Sequence, residues 1–202
     1  MKRLLTIITI VVIALSANAQ FRYAPIAGYS NTTLDFNQNL FTVNSVSGFK
    51  AGVMGELMFP GIGFGLDIGA LYHLKGAEVY LGQKEVWAAD GYGKNRLYLH
   101  YLEIPVNLKF KWTRMQGLED YVAPFVFGGP TIGFMLAHSK VKAFDYSVLE
   151  FGLQVGLGFE LFKRWQIQAC YNWGMTTAVQ TKKLDDFTGD NANWSISILR
   201  YF

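Results

Sequence analysis

Apolar and polar residues alternate one by one along much of this chain. In the stretch YLEIPVNLKFKW, residues 101–112, apolar side chains fill every second position, and Glu103, Asn107 and Lys109 lie between them. A period of two places successive side chains on opposite faces of a β-strand, whereas a helix would mix the two sets. The pattern predicts a strand with one apolar and one polar face.

The same alternation recurs in residues 48–59, 63–74, 148–161 and 165–175. Residues 121–136 are less regular, and a change of phase at the Gly-Gly-Pro sequence, residues 128–130, is interpreted as a β-bulge. Pro105 lacks a backbone N–H, so a local bulge is expected there as well. The apolar face of residues 121–136 is assigned to Tyr121, Phe125 and Phe127 before this change, and to Ile132, Phe134 and Leu136 after it.

With a first strand near residues 23–30 and a last one at 194–202, the pattern predicts eight strands. Short connections are expected at residues 60–62, 113–120 and 163–164, and longer polar ones at 31–47, 76–96, 137–147 and 180–191. This alternation indicates an all-β fold: an eight-stranded antiparallel up-and-down transmembrane β-barrel with four longer outer loops and three short periplasmic turns. Nothing in the pattern indicates a second folded domain.

The direction of the two faces has two interpretations. A soluble, lipocalin-like barrel would turn its apolar face inward. We favour lipid outside, because the polar face is rich in small residues rather than in the charges of a solvated surface: Gly65, Gly69, Gly152, Gly156 and Gly158. In hydrocarbon every backbone N–H and C=O must be paired within the protein, and a closed barrel satisfies this requirement.

Two groups of side chains follow from this assignment. Aromatic residues near the strand ends are expected to form the girdles at the membrane–water interfaces: Tyr98, Trp112, Trp165, Trp173 and Trp194. Polar residues of the inward face are expected to form a structural network in the lumen: Lys50, Glu56, Asp67, Glu103, Asn107, Lys109, Glu150 and Glu160. Eight strands leave an interior just wide enough for side chains, which favours a filled lumen over an ion path.

The N-terminus resembles a cleaved signal peptide. A basic start (Lys2, Arg3), an apolar run of residues 4–15 and the sequence Ala17-Asn18-Ala19 predict cleavage before Gln20. The apolar run is shorter than the ~20 residues of a spanning helix. The predicted parts are therefore a signal peptide, residues 1–19, and a barrel domain, residues 20–202.

Composition agrees with an exported membrane protein. The chain is 51% hydrophobic and 16% charged, and its formal charge falls from +3 to +1 when Lys2 and Arg3 are removed, which gives no electrostatic argument for nucleic acid binding. One cysteine, Cys170, cannot form an internal disulfide. It is interpreted as a small inward-facing residue.

The C-terminal sequence NWSISILRYF places Trp194, Ile196, Ile198 and Phe202 on one face. This ending resembles the C-terminal strand that the assembly machinery of bacterial outer-membrane barrels recognises, and Phe202 would be its signal residue. Arg200 departs from the pattern, because an apolar residue is usual at that position.

The sequences YLEIPVNLKF and YVAPFVFGGPTIGFML resemble the outer-membrane β-barrel family common in Bacteroidota, the porin family or PorT-like barrels. The resemblance implies an eight-stranded barrel in the outer membrane of a Gram-negative bacterium. Its implied partners are outer-membrane lipid, the barrel-assembly machinery, and envelope or secretion proteins that contact the outer loops.

The expected function is envelope structure or binding through the loops by a non-conducting barrel, without enzymatic activity or cofactors. The alternatives are a narrow porin-like channel, a secretion-system accessory barrel and, last, a lipid-modifying enzyme that uses His138 and Ser139. The three histidines, at positions 73, 100 and 138, lie on different segments without the spacing of metal ligands.

Overall fold

The computed structural model describes residues 20–37, 42–59, 61, 63–82, 85, 88, 93–139, 141–182 and 188–202. The predicted signal peptide, residues 1–19, lies outside the described residues, so its cleavage remains a prediction.

Eight long antiparallel strands form a closed barrel. They are β1 Gln20–Phe36, β2 Thr42–Met58, β3 Phe64–Tyr80, β4 Lys94–Lys111, β5 Val122–His138, β7 Leu149–Leu161, β8 Trp165–Gly174 and β10 Thr188–Arg200. Each pairs with the next in sequence order, and β10 pairs with β1, so the predicted eight-stranded fold is confirmed. In the described part of the chain, no helix is long and apolar enough to cross a membrane.

Several strands extend further into the long connections than the sequence pattern predicts. Pairing of β1 with β2 reaches Thr32 and Val46, and pairing of β3 with β4 reaches Tyr80 and Lys94. Two short strands, β6 Phe144–Tyr146 and β9 Val179–Thr181, pair with each other within the third and fourth connections. In these extensions backbone pairing continues although polar and apolar side chains no longer alternate regularly. This explains why the strands predicted from the pattern are too short.

The predicted phase change in β5 is wrong. Pairing of β5 with β7 runs without a register shift from Val122 to Phe134, and the side chains of Phe125 and Phe127 are buried inside the barrel. On β7, Gly158 is the register partner of Phe125 and Gly156 is that of Phe127. The two rings occupy the space that these glycines leave. The register shift between β4 and β5 instead occurs at His100 and Tyr101.

The bulge expected at Pro105 is also absent. Pro105 pairs with Thr131 of β5, and the register of β4 with β3 is the same before and after it, at Glu103 and Val106. The proline interrupts the ladder toward β3 without changing the offset between the two strands.

The two faces of the wall differ in polarity. Outward residues such as Leu108, Leu157 and Ile68 are more than half exposed, whereas their chain neighbours Lys109 and Asp67 are buried. Near the long loops the interior is apolar and includes residues of β6 and β9. This loop-end apolar cluster contains Leu34, Ala77, Val79, Leu81, Leu97, Leu99, Tyr101, Ala143, Phe144, Ala178 and Val179.

Candidate functional site

Charged side chains inside the barrel form two groups, and the first lies near the short turns. This turn-end cluster comprises Arg22, Glu56, Asp67, Lys109, Lys111 and Glu160. Lys109 Nζ lies 2.9 Å from Glu56 Oε1 and 2.6 Å from Asp67 Oδ2. Alternation along β2, β3 and β4 points all three side chains inward. Antiparallel register pairs Glu56 with Asp67 and places Lys109 two positions from the register partner of Asp67.

Glu160 ties the opposite wall to this cluster. Lys111 Nζ lies 2.8 Å from Glu160 Oε2, and Arg22 Nη2 lies 2.7 Å from the same oxygen. Arg22 also donates to Glu56, which therefore has a cation on each side. Gln166 donates from its amide nitrogen to both Glu56 and Glu160.

The second group, the central cluster, lies further toward the long loops and comprises Lys50, His73, Lys75, Glu103 and Glu150. Lys75 Nζ lies 2.9 Å from Glu150 and 3.7 Å from Glu103. His73 Nδ1 lies 2.6 Å from Glu103, and Asn191 donates to Glu150 at 2.6 Å. Lys50 contacts the thiol of Cys170 at 3.5 Å.

The two clusters are balanced in formal charge. The turn-end cluster contains three cations and three carboxylates. The central cluster contains two lysines and two glutamates when His73 is neutral, with Lys75 bonded to Glu150 and Lys50 in contact with the Cys170 thiol. Balance matters because desolvating an ion costs several kcal/mol unless a partner and hydrogen bonds compensate. The interior therefore holds its charges as matched sets.

All eight residues assigned to the lumen by sequence are buried, at 5% exposure or less. The structure brings four of them together in the turn-end cluster and places Lys50, Glu103 and Glu150 in the central one, while Asn107 accepts a hydrogen bond from Gln154. Sequence reasoning missed the participation of Arg22, His73, Lys75, Lys111, Gln154 and Gln166. Arg22 and Lys75 each lie two positions from an inward residue of their own strand, Ala24 and His73, and this spacing was the available signal for them.

The five aromatic residues assigned to the girdles lie at opposite ends of the wall. Trp112 and Trp165 are near the short turns, and Tyr98, Trp173 and Trp194 are toward the long loops. Each tryptophan is 40–45% exposed. Phe110, Tyr171 and Tyr29 pack against Trp112, Trp173 and Trp194, respectively, with ring centroids 4.7–5.7 Å apart.

His138 and Ser139 do not form a catalytic relay with an acid. His138 stacks on Tyr146 and its Nδ1 lies 3.1 Å from the backbone oxygen of Ser139. The Ser139 hydroxyl accepts a hydrogen bond from the Tyr98 N–H, and Asp145 pairs with Lys182. Within the described residues, no group of three or more His, Cys, Asp or Glu side chains could hold a metal ion.

The amino-acid sequence matches a known family over most of its length. Residues 16–180 match the profile described as "Outer membrane protein beta-barrel domain". The chain belongs to this family. An outer membrane protein beta-barrel domain is embedded in the outer membrane of a Gram-negative bacterium, so the predicted location is confirmed and the apolar outer face contacts lipid.

Solved structures support the same fold. The barrel is similar to OprG from Pseudomonas aeruginosa, with a TM-score of 0.51 and 11% identity over 92% of this chain and 97% of OprG. Neisserial surface protein A (NspA) gives a TM-score of 0.51 and 14% identity over 91% of this chain and 99% of NspA. At these identities the similarity extends to the fold alone. No protein with a curated description matches the sequence.

Proposed function

We propose that this outer-membrane barrel is a non-conducting scaffold, filled by side chains, that binds partners through its outer loops. The observation that carries the proposal is the charge-balanced interior, with the turn-end and central clusters in series below the loop-end apolar cluster. The lumen residues assigned from sequence act in this proposal as structural members of that filling.

Ion passage would be costly along this interior. Lys109 is fully buried and bonded to Glu56, Asp67 and Gln166, so a passing ion would have to separate paired charges at low dielectric. Above the central cluster, Phe144 and Val179 add apolar side chains from the connections themselves. An apolar constriction opposes hydrated ions by excluding water.

The outer connections offer a structured surface for binding. β6 pairs with β9, which also pairs with the start of β10. The stacked rings of His138 and Tyr146 lie beside a cavity of about 370 Å³ that also includes Lys142 and Lys182. Burial raises the pKa of Tyr146 to about 12, so its phenol stays neutral at physiological pH. Irregular surface segments held by a rigid scaffold are the usual location of binding residues.

Single-channel recording in planar bilayers tests the absence of conduction. The purified barrel is expected to give no discrete current steps, while a porin reconstituted in the same lipid serves as the positive control. Reproducible steps that depend on protein concentration would overturn the proposal in favour of the narrow-channel alternative.

A loop replacement tests binding through the outer connections. Because β3 and β4 are paired as far as Tyr80 and Lys94, residues 81–93 are the segment to replace with a tight turn. The replacement is expected to leave a folded barrel. The shortened protein is expected to fail to complement the phenotype of a deletion of the gene. Full complementation by the shortened protein would exclude this loop as the binding element.

The narrower assignments are part of the same proposal. PorT-like membership and a Bacteroidota source rest on the resemblance of YLEIPVNLKF and YVAPFVFGGPTIGFML alone, and a secretion-accessory role stays an alternative. Recognition by the assembly machinery would use Phe202, whose N–H donates to the backbone of Tyr23 and whose ring stacks on the Tyr23 ring. Mass spectrometry of the mature N-terminus would test cleavage before Gln20.

A further inference from the structure

Cationic side chains gather on the periplasmic rim where the barrel closes. Arg200 ends β10 and pairs in register with Trp165 at the start of β8. Arg164 immediately precedes Trp165 in the turn from β7, and its backbone oxygen accepts a hydrogen bond from the Tyr201 N–H at 2.7 Å. The two arginines are thereby fixed on adjacent segments, and we call Arg164, Trp165, Arg200 and Phe202 the periplasmic rim site.

Arg200 lies on the outward face, at the position where its C-terminal strand departs from the apolar pattern. Its guanidinium carbon lies 5.4 Å from the Trp165 ring centroid and 5.0 Å from that of Phe202. Both rings are well exposed, at 40% and 61%. Cation–π contacts orient a guanidinium while leaving its N–H groups available at the edge of the plane.

Within the described part of the chain, the two arginines of the periplasmic rim site form no ion pair. Arg164 and Arg200 line a cavity of about 450 Å³ together with Arg22 and Lys163. Arg22 is bound to Glu56 and Glu160, and Lys163 to Asp120 at 2.6 Å. Across the described residues, no carboxylate side chain lies within ion-pair distance of Arg164 or Arg200.

We propose that the periplasmic rim site binds the phosphate of an anionic phospholipid in the periplasmic leaflet. Guanidinium groups bind phosphate oxygens through two parallel hydrogen bonds, and such bonds are stronger than neutral ones. Tryptophan and phenylalanine at this height contact the region between headgroup and acyl chains. The ligand class is a phosphodiester with net negative charge, such as a phosphatidylglycerol headgroup, because two cations without carboxylate partners among the described residues face one cavity.

Native mass spectrometry of the full-length mature barrel provides the test. Detergent-solubilised protein is titrated with phosphatidylglycerol or with phosphatidylcholine of the same acyl chains, and bound lipid is counted. The parent is expected to retain phosphatidylglycerol in preference to phosphatidylcholine. R164Q/R200Q is expected to bind phosphatidylglycerol about tenfold more weakly, since both charge-assisted contacts are lost.

Two further variants distinguish a specific effect of the periplasmic rim site on lipid binding from an effect of general charge. R114Q removes another exposed turn arginine, whose guanidinium donates to the Gly61 backbone oxygen, and should bind lipid like the parent. R164K/R200K keeps both charges without the planar fork and should give intermediate binding. If R114Q weakens binding as much as R164Q/R200Q, the effect is general charge and the proposal fails.

Competition with inorganic phosphate tests whether the periplasmic rim site binds the phosphate of a lipid headgroup or free phosphate. An excess of inorganic phosphate is expected to leave phosphatidylglycerol bound, because the lipid also contacts Trp165 and Phe202. Complete displacement by inorganic phosphate, or equal retention of the two lipids by the parent, would overturn the assignment of a lipid site. Heat-modifiable gel mobility of each variant confirms that the barrel compared is folded.

Discussion

Lys109 illustrates how a single residue can stabilise a membrane barrel from inside. It is fully buried, and it is the only cation among the described residues that pairs with Asp67. An ion pair of this kind contributes little compared with an apolar pair of equal size, but removing one partner leaves a buried charge without compensation. The stability of the barrel therefore depends on keeping both members.

Replacing Lys109 tests this dependence. K109M is expected to lower the free energy of unfolding by about 3–5 kcal/mol, because the Asp67 carboxylate loses its cation. Adding D67N should restore part of the loss. The measurement is urea unfolding of the refolded barrel in lipid vesicles, followed by tryptophan fluorescence.

K94M is the matched control for this series. Lys94 pairs with Glu78 but is 64% exposed, so its loss should cost about 0.2–1 kcal/mol. Equal losses for K94M and K109M would show that burial of the turn-end cluster contributes nothing. A D67N/K109M double variant no more stable than K109M would show that Asp67 is not the group left uncompensated.

Gly156 is required by the size of a neighbouring ring. A Cβ at Gly156 would overlap the ring of Phe127 and approach the Ala169 backbone oxygen at 2.6 Å. G156A is therefore expected to destabilise the barrel by about 1–3 kcal/mol, the usual cost of overpacking. F127L should recover part of this loss in the double variant. G128A, on the outer face, where the nearest atom to a Cβ lies at 3.2 Å, should cost less in the same unfolding measurement.

At the scale of the element, both faces of β5 are apolar near the short turn. Val126 faces lipid at 42% exposure, whereas Phe125 and Phe127 face the interior. Hydrophobicity alone therefore cannot assign the direction of this strand. The space beside Gly156 and Gly158 on β7 decides it.

Cysteine labelling tests the direction of β5. In a background with Cys170 replaced by Ser, V126C should react with a lipid-soluble maleimide in vesicles and F127C should not. Leu157 provides the control position, because L157C on the outer face of β7 should react like V126C. The reverse order of reactivity would restore the phase change that the sequence pattern predicts.

Most of the fold follows from local alternation, and the interior pairing does not. The direction of Glu103 and Lys109 can be predicted because their strand has one polar face. The contact of Arg22 with Glu160 joins residues 138 positions apart. It depends on how β1 and β7 are staggered around the closed barrel, a global quantity that no short stretch of sequence encodes. The inward direction of Phe127 could not be predicted from its own strand, because it depends on the space beside Gly156 on β7.

At the scale of the whole molecule, the interior is closed at more than one height. From the long loops to the short turns, the loop-end apolar cluster comes first, the central cluster second and the turn-end cluster third. Cys170 lies on β8 at 8% exposure, and its thiol contacts Lys50 of the central cluster and Ser195. Its thiol is a natural probe of whether water reaches the interior from the loops.

Opening the loop-end apolar cluster should admit water without creating a channel. F144S/V179S is expected to react with a water-soluble methanethiosulfonate at Cys170 severalfold faster than the parent, because two apolar side chains that close the interior from the loop side are lost. Planar bilayers should remain silent, since the turn-end cluster still closes the other end. V148S, at an exposed position outside the cluster, should label like the parent. Current steps in F144S/V179S would mean that the paired charges do not block ions and that Phe144 and Val179 form the main barrier.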